Sequence, residues 1–357
     1  MLATFLFLLS ILGAAQTGGN STGQPAIAEL ETLLQKALAG NADAQLQLGE
    51  AYENGSGVPQ NDEEAAKWYK KAAEQGNASA QVGFGVLLWT GRGVSPDKEE
   101  AVEWYRKSAE QGSGVGMFNL GAAYFNGEGV TFDSSEALAW FLLAQDHGSK
   151  PAVAAVQRLE GTMRPEEVNQ AYSLIAKRYV TGNDLKQDYA AAATWYQRAA
   201  ERGDSAAAVE LADMYAEGRG EAKDYDATRY WCRYAAERQN RMGMYCMGWI
   251  YQEGKVGPKD PATAVGWFEK GATLGDAPSC FKLGKMYWTG DGVKIDKVTA
   301  YKWVLLASTV LPEAKQEAET YRAAMSEKEV EKAQRKVRDY MKTAHISTVR
   351  RRVDVNP

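Results

Sequence analysis

The apolar positions of this chain recur on two nested periods. The short one is three to four residues, the spacing of one face of an α-helix. The long one is 36 residues: Trp68, Trp104 and Trp140 stand 36 apart, as do Trp195, Trp231, Trp267 and Trp303. The one irregular step, from Trp140 to Trp195, is 55 residues, a repeat plus 19. A second column holds Leu48, Phe84, Leu120, Ile175, Leu211, Met247 and Leu283. Four residues after it come Tyr52, Leu88, Tyr124, Tyr179, Tyr215, Tyr251 and Tyr287. Four before it come the small residues Ala44, Ala80, Gly116, Ala171, Ala207, Gly243 and Ser279. The spacing puts these three columns on one face of a first helix, and the small column lets a neighbouring helix approach closely.

Polar positions punctuate the same register. Gly55, Gly91, Gly127, Gly182, Gly218, Gly254 and Gly290 follow the first helix, where a left-handed residue ends it. Asn61, Asp97, Asp133, Asp188, Asp224, Asp260 and Asp296 then hold a preferred N-cap type. Glu64, Glu100 and Glu136 lie three residues on and are expected to complete capping boxes. A second helix runs through the tryptophan column. The pattern predicts an all-α fold, an α-α superhelical solenoid of about seven 36-residue helix–turn–helix units with closing helices. The seven tryptophans read as core, since burying one removes roughly 150–250 Å² from water, worth about 4–6 kcal/mol before entropy costs.

The run Ala44-x3-Leu48-Gly49-x2-Tyr52-x2-Gly55-x-Gly57-Val58, followed by Asn61-x3-Ala65-x2-Trp68-Tyr69-x2-Ala72-Ala73-x2-Gly76, resembles the Sel-one-like repeat family, a relative of the tetratricopeptide repeats. The resemblance covers about residues 40–308. Leu88, Asp184, Val256, Cys232 and Val304 depart from it locally. It implies a protein-binding scaffold without catalysis. Some secreted members carry a cysteine pair in each unit, a pattern that this chain lacks.

A longer duplication overlies the repeat. Trp140-Phe141-Leu142-Leu143-Ala144 resembles Trp303-Val304-Leu305-Leu306-Ala307, and the segment from Met163 to Val168 resembles that from Met325 to Val330. Each array therefore ends in closing helices. The expected layout is a signal peptide at 1–15, a flexible leader at 16–28, a first module at 29–178 and a second at 171–308. Cap helices at 309–344 and a tail at 345–357 complete it. The first closing helix is expected to run on into the fourth unit near Ala171, with a change of superhelical course around 148–170.

Composition adds bounds. A hydrophobic fraction of 45%, a charged fraction of 24% and a net charge of −5 are ordinary for a folded chain and give no basic footprint for nucleic acid. Leu2 to Ala15 is almost wholly apolar and ends in Gly13-Ala14-Ala15, the small residues of a cleavage site, although no Lys or Arg precedes it. Fourteen helical residues span about 21 Å, short of a ~30 Å hydrocarbon core. Export to a periplasm or secretory route is the expectation, with retention at a membrane through an uncleaved N-terminus as the alternative. Cys232, Cys246 and Cys280 read as three small buried residues. A single Cys232–Cys246 bridge is the alternative, since they lie on sequential helices.

No catalytic, metal or cofactor residues are expected. His147 and His345 show no ligand spacing, and the Gly-x-Gly turns lack the Lys-Ser/Thr of a phosphate loop. Glu50, Glu53, Glu210, Asp213 and Glu217 flank the apolar face of first helices; paired carboxylates there would suit a hydrolase acting on cell-wall glycan. The favoured reading is a scaffold binding a protein or peptide on its concave surface. Its candidate contacts are the bulky residues outside the structural columns, Trp89, Phe125, Trp249 and Trp288, because aromatic residues are favoured interface anchors. Nine Lys and Arg against four acids over 326–353 make the C-terminal segment basic, and contact with anionic lipid or polymer is its alternative use.

Overall fold

A computed structural model describes residues 23–353, which form eighteen α-helices and, among the described residues, no strand. The expected signal peptide and the start of the leader lie outside them. The chain divides into two compact units between Asp188 and Tyr189, inside the fourth repeat.

The first unit opens with α1 (Gly23–Leu38), which begins within the stretch read as a leader. Three helix pairs follow: α2 (Ala42–Asn54) with α3 (Asp62–Glu74), α4 (Ala78–Thr90) with α5 (Lys98–Glu110), and α6 (Gly114–Asn126) with α7 (Ser134–Asp146). Each helix packs on the one before and the one after. Then α8 (Lys150–Thr162) and α9 (Pro165–Thr181) both pack on α7. Helix α9 is the closing helix that runs on as the first helix of the fourth repeat, as the position of Ala171 implied.

The second unit holds α10 (Tyr189–Glu201), α11 (Ser205–Glu217), α12 (Tyr225–Glu237), α13 (Arg241–Glu253), α14 (Pro261–Thr273), α15 (Ala277–Thr289) and α16 (Lys297–Ser308). Helices α17 (Pro312–Ala323) and α18 (Glu327–Val353) both pack on α16, just as α8 and α9 pack on α7. Helix α18 runs through most of the stretch read as a tail. Its basic face is partly spent on docking: Lys336 donates to the Thr299 hydroxyl at 3.0 Å, and the Tyr340 hydroxyl donates to the Ala272 carbonyl at 2.7 Å.

The tryptophans are core, as their recurrence required. Trp140 is fully enclosed, five others are buried, and Trp267 is half-buried beside the fully buried Phe268. Lys71, Lys107, Arg198 and Lys270, each three residues after its tryptophan, lay a cation 4.0–4.4 Å from that ring's centre. Such contacts cover ring faces left near solvent. Leu143 and Leu306 hold the same position in the third and seventh repeats, where the cation comes from elsewhere: Arg178 of the closing helix α9 lies 4.6 Å from the Trp140 ring centre and Lys302 3.6 Å from that of Trp303.

In five of the seven repeats a glycine of the first helix makes a hole for the side chain that follows the tryptophan, and Ala176 and Ala212 stand there in the fourth and fifth. A Cβ on Gly49 would fall 2.7 Å from the Tyr69 ring, one on Gly85 2.7 Å from Tyr105, and one on Gly248 2.5 Å from Phe268. Such distances lie inside contact range, so the rings seat only because the position has no side chain.

The expected capping boxes do not form. The N-cap side chains act as read, Asn61 accepting from Glu63 and Glu64, and Asp97 from Glu100. The N-cap backbone N–H, however, is already taken. It donates to the carbonyl of the tyrosine column nine residues back, from Asn61 to Tyr52 at 2.9 Å and from Asp97 to Leu88 at 3.0 Å, and likewise in all seven repeats. The glutamates are freed for other partners: Glu64 binds Lys67, Glu100 accepts from the Trp104 indole, and Glu136 binds Arg178.

The second turn glycine serves stacking. On Gly93, at φ +69°, a Cβ would lie 2.1 Å from the Asp62 carbonyl oxygen, at the start of the previous repeat's second helix. Gly57, at φ +77°, has no preceding repeat and nothing within 4 Å. Asp184 takes this place in the fourth repeat, keeps the left-handed backbone at φ +61° and turns its carboxylate to use. It binds Arg106 at 3.0 Å and Arg178 at 3.2 Å, and Arg178 lies over the Trp140 ring.

The two glycines give a differential test. Both substitutions to alanine bear the left-handed cost of roughly 1–2 kcal/mol, but only Gly93→Ala also meets backbone. Urea denaturation should show Gly93→Ala as clearly the more destabilising. Equal losses would mean that the close turn–helix approach contributes nothing.

A candidate partner-binding cavity in the fifth and sixth repeats

The residue after the tryptophan reaches beyond its own repeat. The Tyr69 ring fills the hole at Gly49 and also lies against Gly83 on α4, where a Cβ would come within 3.1 Å. Its hydroxyl donates to Glu53 at 2.7 Å. Burial, and then the Glu53 carboxylate, push its pKa well up, so it stays a neutral donor. Arg92 adds a bond to Glu53 at 3.0 Å and a two-pronged one to Asp62. In the first two repeats one aromatic ring thus fills the space between successive first helices.

The fifth repeat has Cys232 in place of that ring. Its partner is Cys246, at the register position of Gly83, and both pairs are 14 residues apart. The two cysteines are joined as a disulfide, with Cα atoms 5.8 Å apart, within the reach such a bond requires. The expectation of three separate small residues is therefore corrected. The column offset that makes Tyr69 touch Gly83 also brings Cys232 onto Cys246. Cys280 alone is a free, buried thiol, its pKa pushed up to about 12 by burial and then by Asp276.

A disulfide fills less space than a tyrosine ring. Between α11 and α13, against α12, lies a cavity of about 320 Å³. Its wall includes Ala216 and Cys246, which hold the register positions of Glu53 and Gly83. Asp213 and Glu217 come from α11, Tyr225 and Thr228 from α12, and Met242, Tyr245 and Trp249 from α13. Tyr225 and Trp249 lie 6.2 Å apart, tilted by 58°. Lys255, in the turn after α13, places its ammonium 5.3 Å from the Trp249 ring centre and 5.4 Å from that of Tyr225. Desolvation, then the like charge of Glu217, raise the pKa of Asp213 against the opposing effect of Arg219. Arg219 itself contacts Glu217 at 2.6 Å, without the orientation of a hydrogen bond.

The four aromatic candidates separate. Trp249 lines the cavity. Trp89 packs on Tyr105 at 6.2 Å with Lys98 over its face. Trp288 is stacked on Tyr321 of the cap at 3.9 Å and 7°. Phe125 is 37% exposed. Of the acidic candidates, Glu50 and Glu53 belong to the first unit, where Glu53 is bound by Tyr69 and Arg92, and Glu210, Asp213 and Glu217 to the second, where Asp213 and Glu217 line the same cavity. His147 caps α7, its ring nitrogen 2.9 Å from the Leu143 carbonyl. Among the described residues no cluster of metal-ligating side chains occurs and no helix is long and apolar enough to cross a membrane. A larger hollow of about 690 Å³ lies between α1 and α2, with no aromatic residue in its lining.

Helix pairs stacked repeat on repeat define an α-helical repeat protein. The chain belongs to the Sel1 repeat family, whose model matches residues 42–77, 78–113, 114–149, 169–204, 205–240, 239–276 and 277–309. Sel1 repeat proteins generally mediate protein–protein interaction as scaffolds, and the family is typically non-catalytic. Among solved structures the chain is similar to c5321, a protective antigen of uropathogenic Escherichia coli with an SLR fold. Identity is 29% over 95% of this chain and 72% of that one, with a TM-score of 0.47. It is also similar to a Sel1 repeat protein from Oxalobacter formigenes, at 27% identity over 88% and 85% of the two chains, TM-score 0.42. No curated protein matches the chain.

Breaking the bridge, by dithiothreitol or by Cys232→Ser, should destabilise the second unit by about 2–4 kcal/mol, the usual worth of a closed loop of this size. Amide exchange should rise first in α12 and α13. Unchanged exchange there would mean that packing alone holds the two helices.

Proposed function

We propose that this protein is an exported, non-catalytic scaffold that binds another protein or peptide, with Trp249 and its cavity as the principal contact. The observation that carries this reading is the cavity itself. It is an open space between successive first helices, lined by aromatic rings and carboxylates, and repeat arrays bind their partners on extended surfaces of this kind. Its volume sits at the lower end of the roughly 300–1,000 Å³ of ligand sites, room for a side chain of a partner. The disulfide supports export, because such bonds persist in oxidising compartments. The apolar Leu2–Ala15 segment supports a signal peptide and hence a periplasmic or secreted protein.

Crosslinking capture from native cells, read by mass spectrometry, tests the site. Wild type should retain a specific protein that Trp249→Ala loses, with both variants giving the same thermal melt, and Trp288→Ala should lose nothing while folded. Equal capture by wild type and Trp249→Ala would discard the cavity as the contact. In the same sample, a mature N-terminus near Gln16 in the soluble envelope fraction is expected. Protein beginning at Met1 in the membrane fraction would overturn the export reading.

A further inference from the structure

The cavity carries information about what enters it, and the inference rests on the reading of Trp249 as a partner contact. Three features converge on one kind of group. The first is a pair of π faces, Tyr225 and Trp249, that already accept an ammonium: the Lys255 nitrogen stands within 5.4 Å of both ring centres. Rings within about 6 Å of a cation attract it through their quadrupole. The second is Asp213. It lines the cavity, and among the described residues no hydrogen-bond donor reaches its carboxylate. The third is Glu217, one helical turn further along α11, whose like charge opposes the ionisation of Asp213. Arg219 answers Glu217 at 2.6 Å but leaves Asp213 without a bonded partner. Arg219 pairs with Glu217 and Lys255 sits over the two rings, so among the described residues Asp213 is the carboxylate of this group without an ion-pair partner. Asp213 is exposed in the free protein; an aliphatic or anionic group entering the cavity would strip its water without replacing it, which is costly. A cation relieves the like-charge repulsion and adds a charge-assisted bond.

We propose that the cavity between α11 and α13 receives a basic side chain, lysine or arginine, from a peptide segment of the protein partner. Its charged end meets Asp213 and its stem lies along Tyr225, Met242 and Trp249. Lysine and arginine suit such a place because an apolar stem carries the charge. Lys255 marks the cation affinity of the ring pair, and its own positive charge works against the incoming one. Register explains why the site belongs to this repeat. Asp213 and Trp249 occupy the same column on successive first helices, where the first repeat has Glu50 and the seventh Lys285. Only here does that column meet the space that the cysteine pair leaves open.

The probe is a displayed library of short random peptides, selected on the full-length, oxidised protein. Selected peptides are resynthesised and measured by calorimetry. The expected result is a set of binders that Trp249→Ala loses and that share a lysine or arginine. Replacing that residue by norleucine or citrulline should weaken binding about tenfold, as should Asp213→Asn. Lys255→Met should tighten binding a few-fold, because it removes a like charge. Added salt should weaken wild-type binding. Binders that depend on Trp249 but are indifferent to their basic residue and to Asp213 would overturn the cation proposal and leave the partner site standing. So would a Lys255→Met variant that binds more weakly. If no selected peptide depends on Trp249, the site reading fails and the proposal with it.

Discussion

The side chain after each tryptophan, a ring in five of the seven repeats, is the contact on which the rest of the structure depends. Tyr69 seats in a hole at Gly49, abuts Gly83 of the next repeat and hydrogen-bonds Glu53. One side chain therefore sets the spacing within a repeat and between repeats. The tryptophans supply buried area, but area is non-directional. The glycine hole is directional, since a ring fits it at one depth and one angle. Between the first and second repeats the first helices close against the Tyr69 ring. Where the fifth repeat exchanges it for Cys232, a covalent bond holds the same two helices and the volume of the ring is left as a cavity.

Most of the architecture was legible in the sequence because it is written in local periods. Helix pairs, glycine C-termini and aspartate N-caps each follow from residues within a few positions of one another. The shared Trp-x-Leu-Leu-Ala ending of the third and seventh repeats announced the closing helices, because the added apolar leucines there need a cover. The capping boxes misled for a physical reason. Sequence shows a glutamate at the right spacing, but not that the backbone donor it would serve is engaged by the carbonyl of Tyr52 or Leu88.

The site was less legible, since it depends on contacts across repeats. Trp89 and Trp288 looked free because their column tolerates small residues elsewhere. The first instead covers Tyr105 and the second stacks on Tyr321 of the cap. Of the four aromatic candidates, Trp249 lines the cavity between α11 and α13. The disulfide had a usable signal in the 14-residue step that Tyr69 and Gly83 share with Cys232 and Cys246. The ion network of Arg106, Asp184 and Arg178 had none, because its members are up to 78 residues apart and one of them sits at a glycine position.

The bond from the tyrosine-column carbonyl to the N-cap N–H has a consequence for how such a chain diverges. It joins main-chain atoms only, so exchanging side chains does not delete it; only a proline at the N-cap removes the donor. Every repeat keeps the same nine-residue clasp whatever lies between its ends. Turn residues such as Arg92, Arg219 and Lys255 are thus released from holding the turn in shape. Their side chains are available for other contacts, as Arg92 is for Glu53 and Asp62 and Lys255 for the Tyr225 and Trp249 rings, while the helices they follow stay where they are.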